Sequence, residues 1–111
     1  MSKDYIGEFE ELVLLTAAIL DDNAYGLAVC DEIKTQTGRE VTIGAVHATV
    51  ARLEKKGLVE TSLGAPTKSR GGRRKRIIVI TSEGKAQLKR SRDTKLHLWN
   101  QIPTLSIQSN P

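Results

Sequence analysis

The sequence predicts a mainly helical α+β fold in which three helices are followed by a two-stranded hairpin and one more helix. Two observations lead to this prediction. Apolar residues recur at helical spacing over residues 8–56 and again after residue 81, and between these stretches two short β-type segments flank a loop rich in glycine. The chain has 111 residues, 39% of them hydrophobic, which is enough for one small hydrophobic core.

The first helix is predicted over residues 8–20, where EFEELVLLTAAIL is too long and too apolar for a single strand. The polar run at residues 21–23 breaks it. The second helix is predicted at about residues 25–36, because Leu27, Cys30 and Ile33 recur at helical spacing, and Gly38 is its expected stop. The same spacing places Cys30, the only cysteine, in the core.

The third helix is predicted to begin after Thr42, a favourable N-cap residue, and to reach about Lys56 before Gly57 ends it. Apolar residues at steps of three and four give this helix one buried face. The residues expected on that face are Ile43, Val46, Val50 and Leu53.

Residues 59–63 and 75–80 are predicted as the two strands of a hairpin. Thr81 or Ser82 should cap the last helix, which we expect to continue to about Gln101, before Pro103. We therefore expect a winged-helix DNA-binding domain at residues 1–81, a C-terminal dimerisation helix at residues 82–103 and a flexible tail at residues 104–111. This order of elements is typical of the winged helix-turn-helix fold, which places one helix in the major groove of DNA.

The charge is unevenly distributed. Residues 1–40 carry nine acidic and three basic side chains, whereas the remainder carries four acidic and fourteen basic ones. Within residues 66–76, PTKSRGGRRKR, six of the eleven residues are Lys or Arg and none is acidic. We call this loop the wing and expect it to bind DNA phosphate or the minor groove. A solvated loop and a surface for anionic lipid are the alternatives. The expected DNA contacts of the wing are Lys68, Arg70, Arg73, Arg74 and Arg76.

The exposed face of the third helix is the second predicted DNA contact. Glycine and alanine predominate there, so the helix backbone could come close to another molecule. The free amides at its N-terminus favour phosphate. The alternative is an ordinary amphipathic helix whose alanines only favour helix formation. The residues expected to face the major groove are Thr42, Gly44, His47, Thr49 and Arg52.

The last helix is expected to pair two copies of the chain, since DNA-binding proteins of this type commonly act as two-fold dimers. Trp99, the only tryptophan, could also stack a flat aromatic effector near the two-fold axis. It could equally fill the interface, or the helix could pack only within its own chain. The residues expected at the dimer interface and the effector site are Tyr5, Phe9, Leu88, Leu96 and Trp99.

The sequence points away from several other classes of protein. His47 and His97 have no Cys, His or acidic cluster around them, so we expect no metal and no cofactor. We find no nucleophile motif, phosphate loop or acid–base pair, and expect no enzyme and no catalytic residue. The chain has neither a long apolar run nor a basic start before one, so we expect a cytoplasmic protein that does not bind membranes.

Several motifs agree in order and spacing with those of one family. They are Gly7–Leu20, Ala24–Gly26, Thr42–Leu58 with its ending Arg52–Leu58, Gly71–Arg76 and Ile80–Gly84. On these motifs the chain resembles the PadR family of bacterial transcriptional regulators over roughly residues 5–100. The resemblance implies a winged-helix domain whose third helix and wing bind an operator, and a last helix that pairs the subunits. Many members are repressors, and some respond to phenolic acids or hydrophobic drugs.

Two departures from the family pattern stand out. His47 occupies a position where relatives usually have Tyr, which could add a pH dependence to DNA binding. The C-terminal part is one helix and a tail, as in a compact subfamily. We therefore expect a sequence-specific regulator of double-stranded DNA, a repressor acting as a homodimer on an inverted repeat, relieved by a small flat hydrophobic or aromatic effector. The alternative is a winged-helix adaptor that binds a protein or RNA partner.

Overall fold

A computed structural model describes residues 5–66 and 74–103, and over these residues the chain forms four α-helices and one antiparallel hairpin. The predicted mainly helical fold and its order of elements are confirmed. The predicted tail, residues 104–111, lies outside the described residues. The elements are α1 (Glu8–Leu20), a short 3-10 turn (Asp21–Asn23), α2 (Gly26–Thr37), α3 (Ile43–Lys55), β1 (Val59–Pro66), β2 (Arg74–Ile80) and α4 (Ser82–Trp99).

The helix ends follow local chemistry that the sequence indicates. The hydroxyl of Thr42 accepts the N–H of Ala45 at 3.1 Å and so caps α3. Thr81 accepts the N–H of Gly84 at 3.0 Å and caps α4 in the same way. After α2 and α3 the chain passes through Gly38 and Gly57, both at a φ of 77°, a conformation that costs glycine little.

The core lies where α1, α2 and α3 meet and where the hairpin closes over them. Its members alternate with exposed residues at helical spacing, so each helix contributes one face. Cys30 is half-buried and packs against the core, as the sequence indicates. The largest fully buried side chains are Val13, Leu14, Val29, Ile33, Val46, Thr49, Leu53 and Val59.

The hairpin is joined to the helices by the segment before α2. Its register pairs Val59 with Ile80, and the pairing shifts between Leu63 and Pro66. The N–H of Ile78 donates to the carbonyl of Ala24 at 2.7 Å, and Tyr25 forms a bridge with Ile77. The sequence placed Tyr25 inside the second helix, but its backbone is extended and it is the N-cap of α2. This pairing fixes the base of the wing beside the start of α2.

The structure corrects the predicted buried face of α3. Ile43 is 46% exposed, because it lies in the first turn, beyond the edge of the core. Thr49 takes its place on the buried face and is only 1% exposed. The prediction used apolar spacing alone, and a threonine can enter a core when its hydroxyl finds a partner, as described below.

The second half of α4 leaves the body of the domain. Gly84 and Gln87 in its first turns are buried, and Leu88 packs against the core, whereas residues 92–100 are all exposed. Within the described residues, no helix combines the length and apolarity needed to span a bilayer.

Candidate nucleic-acid interface

The outer face of α3 is flat and almost free of side chains. Gly44, Ala48 and Ala51 are exposed there, opposite the buried Val46 and Leu53. A Cβ added at Gly44 would meet no atom within 4 Å, so the fold itself does not require glycine at this position. An exposed glycine inside a helix costs about 0.5–1 kcal/mol relative to alanine. Gly44 therefore lowers the stability of α3 slightly, on the face that a partner could approach most closely.

His47 lies at one edge of this face, where it connects α3 to its neighbours. A Cβ at Gly26, in the first turn of α2, would come within 2.5 Å of His47 Nε2, so the imidazole lies directly against the α2 backbone. Together with Ala51 and Arg76, His47 lines a notch of about 230 Å³ between α3 and β2. The exposed imidazole therefore lies between the outer face of α3 and the base of the wing.

Arg52 lies at the other edge, and its guanidinium is held by the protein itself. Its Nε donates to Glu10 at 3.3 Å and its Nη2 donates to the hydroxyl of Thr49 at 3.0 Å. Thr49 is buried and its hydroxyl faces Arg52, so the expectation that Thr49 presents its side chain to DNA is corrected. Arg52 remains partly exposed while it bridges α1 and α3.

The carboxylate of Glu10 joins the start of α1 to the end of α3. It accepts the N–H of Gly7 at 2.8 Å and the ammonium of Lys56 at 2.9 Å, in addition to Arg52. Burial alone would raise the pKa of Glu10, but the hydrogen bonds from Lys56, Gly7 and Arg52 and the charge of Lys56 outweigh it and lower the pKa. Glu10 is not among the residues that the sequence predicts for the site. Its position three and four residues before the buried Val13 and Leu14 is the signal that could have revealed it.

The base of the wing carries two ordered cations. Arg76 donates to the hydroxyl of Thr61 at 3.1 Å, and Thr61 donates in turn to Glu54 at 3.3 Å. The ammonium of Lys75 lies 3.9 Å from the centre of the Tyr25 ring, a cation–π contact. Of the other predicted wing contacts, the side chain of Arg74 and the whole of Lys68, Arg70 and Arg73 lie outside the described residues.

The C-terminal candidates are divided between two surfaces. Leu88, Leu96 and Trp99 line a groove of about 830 Å³, and Leu15 of α1, which is not among the predicted interface residues, lines it with them. The rim of this groove is cationic, and one of its members, Lys95, is fixed by Glu11 at 2.6 Å. The other residues of the rim are Lys85, Lys89 and Arg92.

Tyr5 and Phe9 line neither this groove nor its rim. Tyr5 is 78% exposed and belongs to a polar groove on the other flank of α4. Phe9 is half-buried against the core, with the guanidinium of Arg39 at 5.3 Å from its ring centre. The structure thus brings together three of the five residues predicted for the dimer interface. Among the described residues, no group of three His, Cys, Asp or Glu side chains could hold a metal ion.

Comparison with known proteins gives a consistent picture. The model of the transcriptional regulator PadR-like family matches residues 14–90. No curated protein matches the chain. Among solved structures, the complex hsRosR-S1 of the H. salinarum protein RosR has a TM-score of 0.68 at 25% identity, covering 86% of this chain and 78% of that one.

Two bacterial structures have the same fold. A PadR family transcription regulator from Clostridium difficile has a TM-score of 0.68 at 23% identity and covers 83% of this chain and 91% of that one. A PadR-like transcriptional regulator from Bacillus cereus has a TM-score of 0.70 at 18% identity and covers 93% of each chain.

Replacing Glu10 by Gln should destabilise the fold at neutral pH by about 1.5–3 kcal/mol, the usual contribution of hydrogen bonds to a charged group. Because the folded pKa of Glu10 lies below its unfolded value, the ionised carboxylate stabilises the fold above the unfolded pKa, and this contribution is lost as the pH falls through the folded pKa. Urea unfolding of both proteins at neutral and at strongly acid pH measures the difference, which should vanish in acid. Glu8→Gln, which removes an exposed ion pair with Arg39, is the control and should change little at either pH. A Glu10→Gln variant as stable as the parent at neutral pH would contradict this account.

Proposed function

The chain belongs to the PadR-like family of transcriptional regulators, whose model matches residues 14–90 of its 111, and we propose that it represses transcription as a homodimer bound to an inverted-repeat operator. It is a DNA-binding regulator by family and by fold. We further propose that it acts in the cytoplasm, on double-stranded DNA, and that a small flat hydrophobic or aromatic molecule releases it.

The observation that carries the proposal is the bare outer face of α3. A Cβ at Gly44 would meet only open space, and Ala48 and Ala51 beside it are exposed and short. The axis of α3 can therefore approach the wall of a DNA groove closely. In helix-turn-helix proteins the second helix of the motif enters the major groove in this way, with its N-terminal residues against the bases. The family membership and this face support the same function independently.

The surroundings of α3 suit the sugar–phosphate backbone. Thr42 and Gly44 lie at its N-terminus, where free amides attract phosphate. His47 and Arg76 stand on two sides of the notch that leads to the wing, and both are exposed. We propose that they contact the backbone beside the groove, and that Lys68, Arg70, Arg73 and Arg74 continue this contact along the wing.

The groove beside Trp99 supports the proposed dimer. Leu15, Leu96 and Trp99 are between 40% and 45% exposed, and they lie side by side on α1 and α4. Large apolar side chains that cluster at a surface mark an interaction site more often than scattered ones do. We propose that a second copy covers this groove, and that the effector stacks on Trp99 in the space between the copies.

Selection of bound duplexes from a random DNA pool, at near-physiological salt, tests the function. We expect an inverted repeat whose half-sites lie about 34–36 Å apart, as two-fold dimers of this fold require. Weak binding without sequence preference would reduce the chain to a basic surface and overturn the proposal. Stronger binding to RNA or to a protein partner would favour the adaptor instead.

Arg73→Ala and Arg74→Ala, made singly, should each weaken binding to all DNA sequences by a similar factor. Each lost phosphate contact reduces the slope of log K against log salt by about 0.9. Arg90→Ala, which removes an equal charge from the body of α4, should leave the slope unchanged. Titrations of one labelled duplex at several salt concentrations measure the slopes. An unchanged slope in both wing variants would show that the wing does not touch phosphate.

Trp99→Ala should weaken self-association by about thirtyfold, corresponding to the roughly 2 kcal/mol lost when a central interface tryptophan is truncated. Sedimentation equilibrium over a range of concentrations gives the dimer constant. Leu63→Ala is the matched control, because Leu63 is 53% exposed but lies on β1, away from the groove. Equal dimer constants for Trp99→Ala and the parent would place the interface elsewhere.

A further inference from the structure

We propose that α3 distinguishes DNA sequences chiefly by contact with the 5-methyl groups of thymine, through the methyl groups on its outer face, and that Arg52 does not read guanine. This inference rests on the proposed function, since it describes what the same face would recognise. Its basis is the set of polar and apolar groups that α3 exposes.

Three polar side chains, at the N-cap and within α3, already have hydrogen-bond partners within the protein. The hydroxyl of Thr42 accepts the N–H of Ala45 and so holds the N-cap. Thr49 is buried. Arg52 donates from Nε to Glu10 and from Nη2 to Thr49, so this edge of its guanidinium faces the protein, and bidentate reading of guanine through the same two nitrogens would require both hydrogen bonds to break. Glu10, held also by Gly7 and Lys56, would then remain as a buried carboxylate with one partner fewer.

Three further polar side chains lie at the margins of the face, and one of them, Glu54, accepts the hydroxyl of Thr61 on β1. His47 rests against the backbone of Gly26 and faces the notch beside β2. Lys55 is the last residue of α3, three turns away from the N-terminal end that reads bases in helix-turn-helix proteins. None of the three is placed at the centre of the face, where base edges would lie.

The centre of the face offers methyl groups at short range. Ala48 and Ala51 are exposed and lie three residues apart, with the bare Gly44 one turn before Ala48. Ile43 adds a larger apolar side chain, 46% exposed, in the first turn. In the major groove the 5-methyl group of thymine is the apolar feature of a base pair, and alanine is among the residues that contact it. Short side chains allow this contact only when the backbone comes close, which the glycine permits.

Replacement of thymine by deoxyuridine removes only the methyl group and is therefore the direct test. Each thymine of the selected inverted repeat is replaced in turn, in both half-sites together, and the affinity of the full chain is measured. Burying one methyl group contributes about 0.8 kcal/mol, or about fourfold in affinity, so the paired replacement should weaken binding by about fifteenfold at one position or more. Replacement of each guanine by 7-deazaguanine, which removes the N7 acceptor, should have little effect within the bases that α3 covers.

A variant assigns the contact to α3. Ala48→Gly should bind the parent duplex more weakly and should lose most of its discrimination between thymine and deoxyuridine. Ala18→Gly, the same substitution at an exposed position of α1, should keep the full discrimination despite an equal loss of helix propensity. The deoxyuridine result stands without the variant, should Ala48→Gly fold poorly.

The outcomes separate this inference from the proposed function. A clear inverted repeat whose affinity ignores every thymine methyl group but falls with 7-deazaguanine would overturn the inference and leave the regulator intact. An absence of any selected sequence would overturn both. Discrimination that survives Ala48→Gly unchanged would also contradict the inference, because the methyl group would then be read by another part of the chain.

Discussion

The buried carboxylate of Glu10 is the contact on which the arrangement of this domain depends. It closes the first turn of α1 through Gly7 and at the same time binds Arg52 and Lys56 at the far end of α3. An ionised carboxylate with 7% exposure is tolerated only because each of its oxygens has a partner. Together with the burial of Val46, Val50 and Leu53, these contacts fix the rotation of α3 about its axis, and this rotation decides which side chains reach the outer face.

That rotation gives α3 two different surfaces. One side supplies Val46, Val50 and Leu53 to the core, where a change in volume would be felt at once. The other side carries Gly44 and two alanines, and the fold gains little from any of them beyond helix propensity. A surface that lowers stability without serving the core is the kind of local conflict expected at a functional site.

Glu11, the residue after Glu10 in the first turn of α1, joins α1 to α4. It binds Ser91 at 2.9 Å and Lys95 at 2.6 Å, so consecutive carboxylates hold α3 on one side and α4 on the other. Among the described residues, α1 packs against both helices, whereas α3 and α4 share no comparable contact. Any signal from the Trp99 groove to the DNA-binding face would therefore have to act through α1 or the hairpin.

The order of elements could be predicted because it depends on local signals. Apolar spacing, the caps Thr42 and Thr81, and the stops Gly38 and Gly57 all act over a few residues. What could not be predicted depends on contacts between distant residues. Spacing placed Ile43 inside and Thr49 outside, but the structure reverses them, since the edge of the core and the position of Arg52 are properties of the whole fold.

The candidate site likewise has parts that the sequence could predict and parts that it could not. The flat face of α3 and the basic base of the wing were visible in the sequence, as were the apolar residues of α4. Arg52 is held within the protein by its hydrogen bond to Glu10, which lies forty-two residues earlier in the chain. The separation of Tyr5 and Phe9 from the Trp99 groove depends on how α4 leaves the domain. The sequence alone contains no signal for the contacts of Arg52 or for the positions of Tyr5 and Phe9.

Gly44→Ala tests the central claim most directly, namely that the bare face of α3 serves binding and not folding. Its stability by urea unfolding and its affinity for the selected duplex should be measured on the same protein. We predict a variant more stable by about 0.5–1 kcal/mol, since the added Cβ meets no atom within 4 Å, that binds the duplex more weakly. An equally stable or more stable variant with undiminished affinity would show that nothing approaches this face closely, and would contradict the account.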